Sequence, residues 1–195
     1  MNLYESIAAY KPFNEQEATD KEVILHALEN DPLCFERSAQ AHMTCSIWTM
    51  DPSLEKTLLI YHNTYDSWSW IGGHADGEQN LAAVALRELE EETGVARARL
   101  AHCGPGNILS IEVLTVDGHE KRGSYVSSHL HLNVTYLAIA DPDEPLRVKP
   151  DENSAVRWAA AEDAIALSSE PWIRERIYRK LLDKVSQLDR NALLA

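Results

Sequence analysis

Residues 72–95 read GGHADGEQNLAAVALRELEEETGV, a glycine-rich entry into a segment where four of the five residues from 88 to 92 are glutamate. Asn80 is a favourable N-cap and Gly94 a favourable left-handed terminator, so the pattern predicts a helix from about Leu81 to Thr93. At about 100° per residue from Leu81, the side chains of Ala82, Ala85, Leu86 and Leu89 share a core-facing stripe between about 40° and 140°. Glu88, Glu91 and Glu92 fall beside it, at about 340°, 280° and 20°, whereas Glu90 points away near 180°. Like charges three or four residues apart cost a helix about 0.2–0.5 kcal/mol per pair, and carboxylates in the last turns oppose the helix dipole. The crowding therefore asks for a positive partner. Arg87 supplies one cation from the flank; a hard divalent ion coordinated by oxygen, Mg²⁺ or Mn²⁺, accounts for the arrangement more fully. On the helix alone, a solvent-facing charge run remains the alternative.

The loop before the helix shifts that balance. GGHADG permits close backbone approach and offers exposed amides, the usual means of admitting a phosphate group. Carboxylates alone would repel such a ligand, so loop and helix together suggest a diphosphate bound through bridging cations.

On these residues the stretch resembles the Nudix box, which runs Gly, five residues, Glu, seven residues, then Arg-Glu-apolar-x-Glu-Glu-x-Gly-apolar. Gly73 leads to RELEEETGV from Arg87 to Val95, which matches every position of the second half. The flanks, AHMT through WSWIGGHADG and the later SHLHL, are similar to a bacterial Nudix subgroup. The resemblance implies an α/β/α sandwich with a mixed sheet and metal-dependent hydrolysis of a phosphoanhydride bond in a nucleoside diphosphate linked to another group. It also implies that Glu88, Glu91 and Glu92 bind the metal, that Arg87 orients them and that Gly73 shapes the loop. Gln79 departs from the pattern, standing where the box has its first glutamate, with Glu78 one residue early. Either Glu78 substitutes through a shift in the loop, or the position is neutral and a supporting carboxylate is lost; the intact spacing from Gly73 to Arg87 favours the second. Two other activities stay open. One is isopentenyl diphosphate isomerisation, for which Cys45 and Cys103 lack a fitting context; the other is ligand sensing without catalysis.

Outward from the box, AHMTCSIWTM and TLLIYHN read as a hairpin, ILSIEVLTV and SHLHLNVTYLAIA as strands, and AVRWAA as a short final strand. DGHEKRGSYVS reads as a polar connection and DPDEPLRVKPDEN as a loop. Helices are expected over about Glu15–Glu29 and Glu162–Leu188, with Pro171 able to start a new one. The domain boundaries follow: an N-terminal helical extension over 1–39, a Nudix domain over 40–165 and a C-terminal helix over 166–195. On SHLHLNVTYL, His129, His131, Asn133 and Thr135 share one face, which either lines the substrate cleft or is merely exposed. Gly72, Gly73 and His74 are candidates for phosphate contact. Trp70, alternating with Trp68, would stack on a base or enter the core. Glu152 is a candidate further metal ligand or proton acceptor, with Asp151 behind it.

The chain of 195 residues is 45% hydrophobic and 25% charged, which fits one soluble α/β domain with extensions. A net charge of −13 repels nucleic acid and anionic membranes, so neither is an expected partner, and a small-molecule diphosphate is. Cys34, Cys45 and Cys103 lack paired metal or redox spacing and read as ordinary thiols. With no signal-peptide pattern, the expected compartment is the cytoplasm, and a homodimer is a fair prior.

Overall fold

The computed structural model describes residues 1–121, 123–190 and 193. Helices α1 (Leu3–Ala9) and α2 (Glu15–Asn30) precede strands β1 (Ala41–Met50), β2 (Lys56–His62), β3 (Ser67–Ser69) and β4 (Ile71–His74). Helix α3 covers Leu81–Thr93, followed by β5 (Arg99–Leu100), β6 (Ile108–Val116), β7 (His119–Lys121), β8 (Ser124–Val126), β9 (His129–Ile139) and β10 (Asn153–Ala160). Helix α4 (Asp163–Leu167), a π-helical segment (Ile173–Tyr178) and α5 (Arg179–Ser186) complete it.

The sheet runs β10-β2-β1-β9-β5, with β3 on β2, β4 on β1 and β6 on β9. Its centre is the parallel pair β1 and β9, in register from Ala41 opposite Leu130 to Met50 opposite Ile139, while the other pairs are antiparallel. Both strands are buried on both faces. Met43, Cys45, Ile47, Leu132 and Val134 pack with Val84, Ala85 and Leu89 of α3. Trp48, Met50, Leu137 and Ile139 pack with Ile177, Tyr178 and Leu181 from the C-terminal helices. Alternation along the strands thus feeds two cores, and the layers are the expected mixed α/β/α sandwich with helices at both ends.

Three elements differ from the sequence reading. Helix α1 was not expected, although Asn2 and Glu5 form a reciprocal capping box that marks it. The polar connection holds the β7–β8 hairpin. The C-terminal helical region is interrupted, because the chain turns extended at Ser168 before restarting around Pro171.

The polar face of β9 divides: His129 and His131 are half-buried, whereas Asn133 and Thr135 are buried. Asn133 Nδ2 and Thr135 Oγ1 donate to Glu112 Oε2 at 2.9 and 2.8 Å, and Lys180 Nζ meets Glu112 Oε1 at 2.9 Å. Glu17 of α2 joins from the other side, paired with Lys180 at 3.2 Å and Lys184 at 2.8 Å. Burial pushes the Glu17 carboxyl upward, but Lys180 and Lys184 outweigh it and hold the group below its usual range. Removing one partner of a buried pair costs about 3–5 kcal/mol, so Lys180→Met is expected to lower the urea midpoint by a corresponding amount. An unchanged midpoint would show the pairing to be dispensable.

Candidate functional site

Helix α3 spans the residues its caps predict. Asn80 Oδ1 accepts from the Ala83 N–H at 3.3 Å, and Gly94 terminates the helix at φ 84°. The buried stripe is rotated from the expected one: Leu81, Val84, Ala85, Leu89, Glu92 and Thr93 face inward, and Ala82 and Leu86 are half-buried. Glu92, at about 20° on the wheel, thus lies within the apolar stripe. It is 3% exposed.

Glu88, Glu92 and Glu152 each bring a carboxylate oxygen within 4.8 Å of the others. Glu91 lies outside this group, exposed and paired with Lys149 at 3.0 Å. Lys149 also reaches Glu152 at 3.2 Å. The other positive partner is Arg147, whose side chain donates to the Glu90 carbonyl at 3.2 Å, where the helix dipole favours a cation. Asn153 fixes the same loop by donating to the Glu92 carbonyl at 3.0 Å. Sequence reasoning missed Arg147, Lys149 and Asn153, whose only signal was two cations in an otherwise acidic loop. Arg87 is exposed and adds positive potential at Glu88.

Burial, then the neighbouring Glu152 and Glu88, push the Glu92 carboxyl up to about 9. Burial also raises Glu88, against the pull of Lys149. One Glu92 oxygen, Oε2, is buried with no hydrogen-bond partner. A desolvated carboxylate with an orphaned oxygen, converging with two others, suits a hard divalent cation. The donor set therefore fits a divalent cation.

Gly73 makes this geometry possible. A Cβ there would come within 2.5 Å of the Glu88 carboxyl carbon, and one on Gly72 within 2.4 Å of the Cys45 carbonyl. Strand β4 thus lies closer to its neighbours than a side chain allows. Gln79 is exposed, and Glu78 accepts from the Asn80 N–H at 2.8 Å at the start of the helix, apart from the carboxylate group.

On the opposite face of β4, His74 lines adjoining cavities of about 170 and 320 Å³. His131 lines both, His129 the larger, and Trp70, Gly72, Gly73 and Asn133 the smaller. Trp70 is 9% exposed, so it belongs mainly to the core, with its backbone N–H donating to the Tyr178 hydroxyl at 3.0 Å. Trp68 turns the other way, beneath the Arg157 guanidinium at 4.2 Å. A larger cavity of about 1180 Å³, against Ala161, Ile165 and Leu182, contains none of the motif residues.

A sandwich that presents converging carboxylates beside a glycine strand defines the class: an α/β fold equipped for metal-assisted chemistry on phosphate. The chain belongs to the Nudix family, the NUDIX domain model matching residues 42–181. The rat asymmetrical bis(5'-nucleosyl)-tetraphosphatase is 26% identical over 118 residues, covering 60% of this chain and 71% of that protein. The E. coli dihydroneopterin triphosphate pyrophosphohydrolase shares the fold at a TM-score of 0.55 and 14% identity, covering 72% of this chain and 94% of that one. A C. elegans Ap4A hydrolase binary complex does so at a TM-score of 0.51 and 19% identity, covering 74% and 94%.

Two outcomes are expected. Gly73→Ala drives a methyl into Glu88 and should weaken Mn²⁺ binding about tenfold or more, measured by titration calorimetry. The Glu92 carboxyl, raised from 4.5 to about 9, adds stability fully present below pH 4.5 and lost as pH rises toward 9. In metal-free buffer, Glu92→Gln should therefore raise Tm at pH 8 and leave it nearly unchanged at pH 4, measured by differential scanning fluorimetry.

Proposed function

We propose that this protein hydrolyses a phosphoanhydride bond in a nucleoside diphosphate linked to a second group, with Mg²⁺ or Mn²⁺ held by Glu88, Glu92 and Glu152. The observation that carries the reading is the buried, unpartnered Glu92 oxygen within reach of two further carboxylates. When bound, the cation would supply positive charge against the phosphate oxygens and activate an attacking water. Gly72 and Gly73 bring the backbone close to the phosphates without side-chain obstruction, and Arg87 adds positive potential beside Glu88. Lys149 stays protonated: burial opposes its charge, but hydrogen bonds to Glu91 and Glu152 raise its pKa. It therefore keeps Glu91 outside the ligand group, where that carboxylate can accept a proton from water. The cavities lined by His74, Trp70, His129 and His131 would take the nucleoside or its attached group.

The Cys45 thiol is pushed up to about 12 by burial, so it supplies little thiolate at neutral pH and does not favour a cysteine-based isomerase. The matched rat tetraphosphatase makes a dinucleoside polyphosphate a first candidate, alongside nucleotide sugars and nucleoside triphosphates. The test is product analysis of such a panel with each metal. Folded protein that turns over none of them, yet binds one tightly, would replace this proposal with the sensor reading. Within the reaction, Glu91→Gln is expected to lower kcat by about 100- to 10,000-fold with Mn²⁺ affinity retained. Glu92→Gln should instead lose the metal. Loss of Mn²⁺ binding in Glu91→Gln would make Glu91 a ligand rather than the proton acceptor.

A further inference from the structure

Four histidines from three strands converge beside the cleft. His42 of β1, His74 of β4 and His129 and His131 of β9 each place one ring nitrogen within 4.8 Å of the others. Parallel pairing sets His42 directly opposite His131, and antiparallel pairing sets His74 opposite Thr44, two residues along from His42. The group is separate from the carboxylates: Gly73 faces Glu88, and the next residue, His74, turns to the other side of the sheet.

The arrangement resembles a ligand shell more than a packing cluster. Five of the six ring-centre separations are 4.9–5.2 Å. Four imidazoles bound tetrahedrally at Zn–N distances of about 2.0–2.1 Å would have ring centres about 5 Å apart and nitrogens about 3.3 Å apart. His129 Nε2 and His131 Nε2 lie 3.2 Å apart. His42 Nδ1 donates to the Ala39 carbonyl and His129 Nδ1 to the Ser127 carbonyl, each at 2.8 Å, which fixes the tautomer and makes Nε2 the lone-pair nitrogen of each ring. His42 is 2% exposed, and its Nε2 is buried without a hydrogen-bond partner.

The charges around the cluster permit a cation. Arg37, a fixed positive charge felt at His131, is clamped by Asp76, which Nε of Arg37 meets at 2.6 Å. Burial and the neighbouring rings push His131 down to about 2, and burial lowers His42 as well, so these imidazoles are neutral bases at physiological pH. Neutral imidazole nitrogen prefers Zn²⁺, Ni²⁺ or Cu²⁺ over Mg²⁺.

We infer that His42, His74, His129 and His131 form a second metal site, selective for a transition dication of the Zn²⁺ class and distinct from the glutamate group. Four protein ligands fill a tetrahedral shell, so the ion is structural, pinning the GGHADG loop to β1 and β9. The inference does not depend on the hydrolysis proposal.

The test uses the full chain, stripped with chelator and held in millimolar Mg²⁺ to occupy the carboxylates, then titrated with Zn²⁺ and with Co²⁺. One equivalent is expected to bind, Co²⁺ giving the intense visible bands of tetrahedral coordination. His131→Asn and the half-exposed His129→Asn should each weaken binding at least tenfold, with unchanged circular dichroism, while Glu88→Gln/Glu92→Gln leaves it intact. No stoichiometric binding, an octahedral Co²⁺ spectrum, or binding that is lost with the glutamates and not the histidines would overturn the inference.

Discussion

The buried charges Glu17, Glu112, Lys180 and Lys184 tie together parts of the chain that share little else. Glu17 lies on α2, Glu112 on β6, Lys180 and Lys184 on the C-terminal helix, and the carboxylates and Lys180 are almost sealed from water. Isolated charges there would be costly; paired and hydrogen-bonded, they have one arrangement that satisfies all of them. Through Glu112 the network continues to Asn133, whose side-chain oxygen accepts from Thr44 at 3.0 Å and Ser46 at 3.1 Å. Those β1 residues pair directly with Gly72 and His74 on β4. The terminal helices thereby brace the strand that holds the glycines.

The carboxylate group is the converse case. Glu92 within it is desolvated and incompletely partnered, so it stores unfavourable energy that a cation would relieve. Lys149 and Arg147 offset part of this from the loop over the C-terminal end of α3, but Glu92 keeps an orphaned oxygen. Stability is concentrated in the charge network and withheld at the candidate site.

What could be read from the sequence was local. Caps and period fixed α3 to the residue, and ILSIEVLTV was a strand by composition alone. The partners of Glu112 were not legible, because Lys180 lies 68 residues away and only the folded sheet brings them together. The wheel already placed Glu92 between Leu81 and Ala85, a sign of burial obscured by the acidic residues around it. His42 gave no local sign either, since its neighbour His131 is set by a parallel pairing that no turn encodes. Lys149 looked like an ordinary loop cation until the loop was seen to fold onto α3.

That parallel pairing also bears on how the chain reaches its native state. Strand β1 cannot acquire its central neighbour until β9 has been made, a separation of 89 residues between paired positions. Contacts of such long range close slowly, because loop entropy is spent before they reward it. During synthesis β1, rich in apolar side chains, must wait with one edge unpaired, which is the condition in which nascent sheets stick to one another. Its polar positions, His42, Thr44 and Ser46, therefore have a second value: they interrupt the hydrophobic edge while the ribosome is still delivering the strand that will cover it.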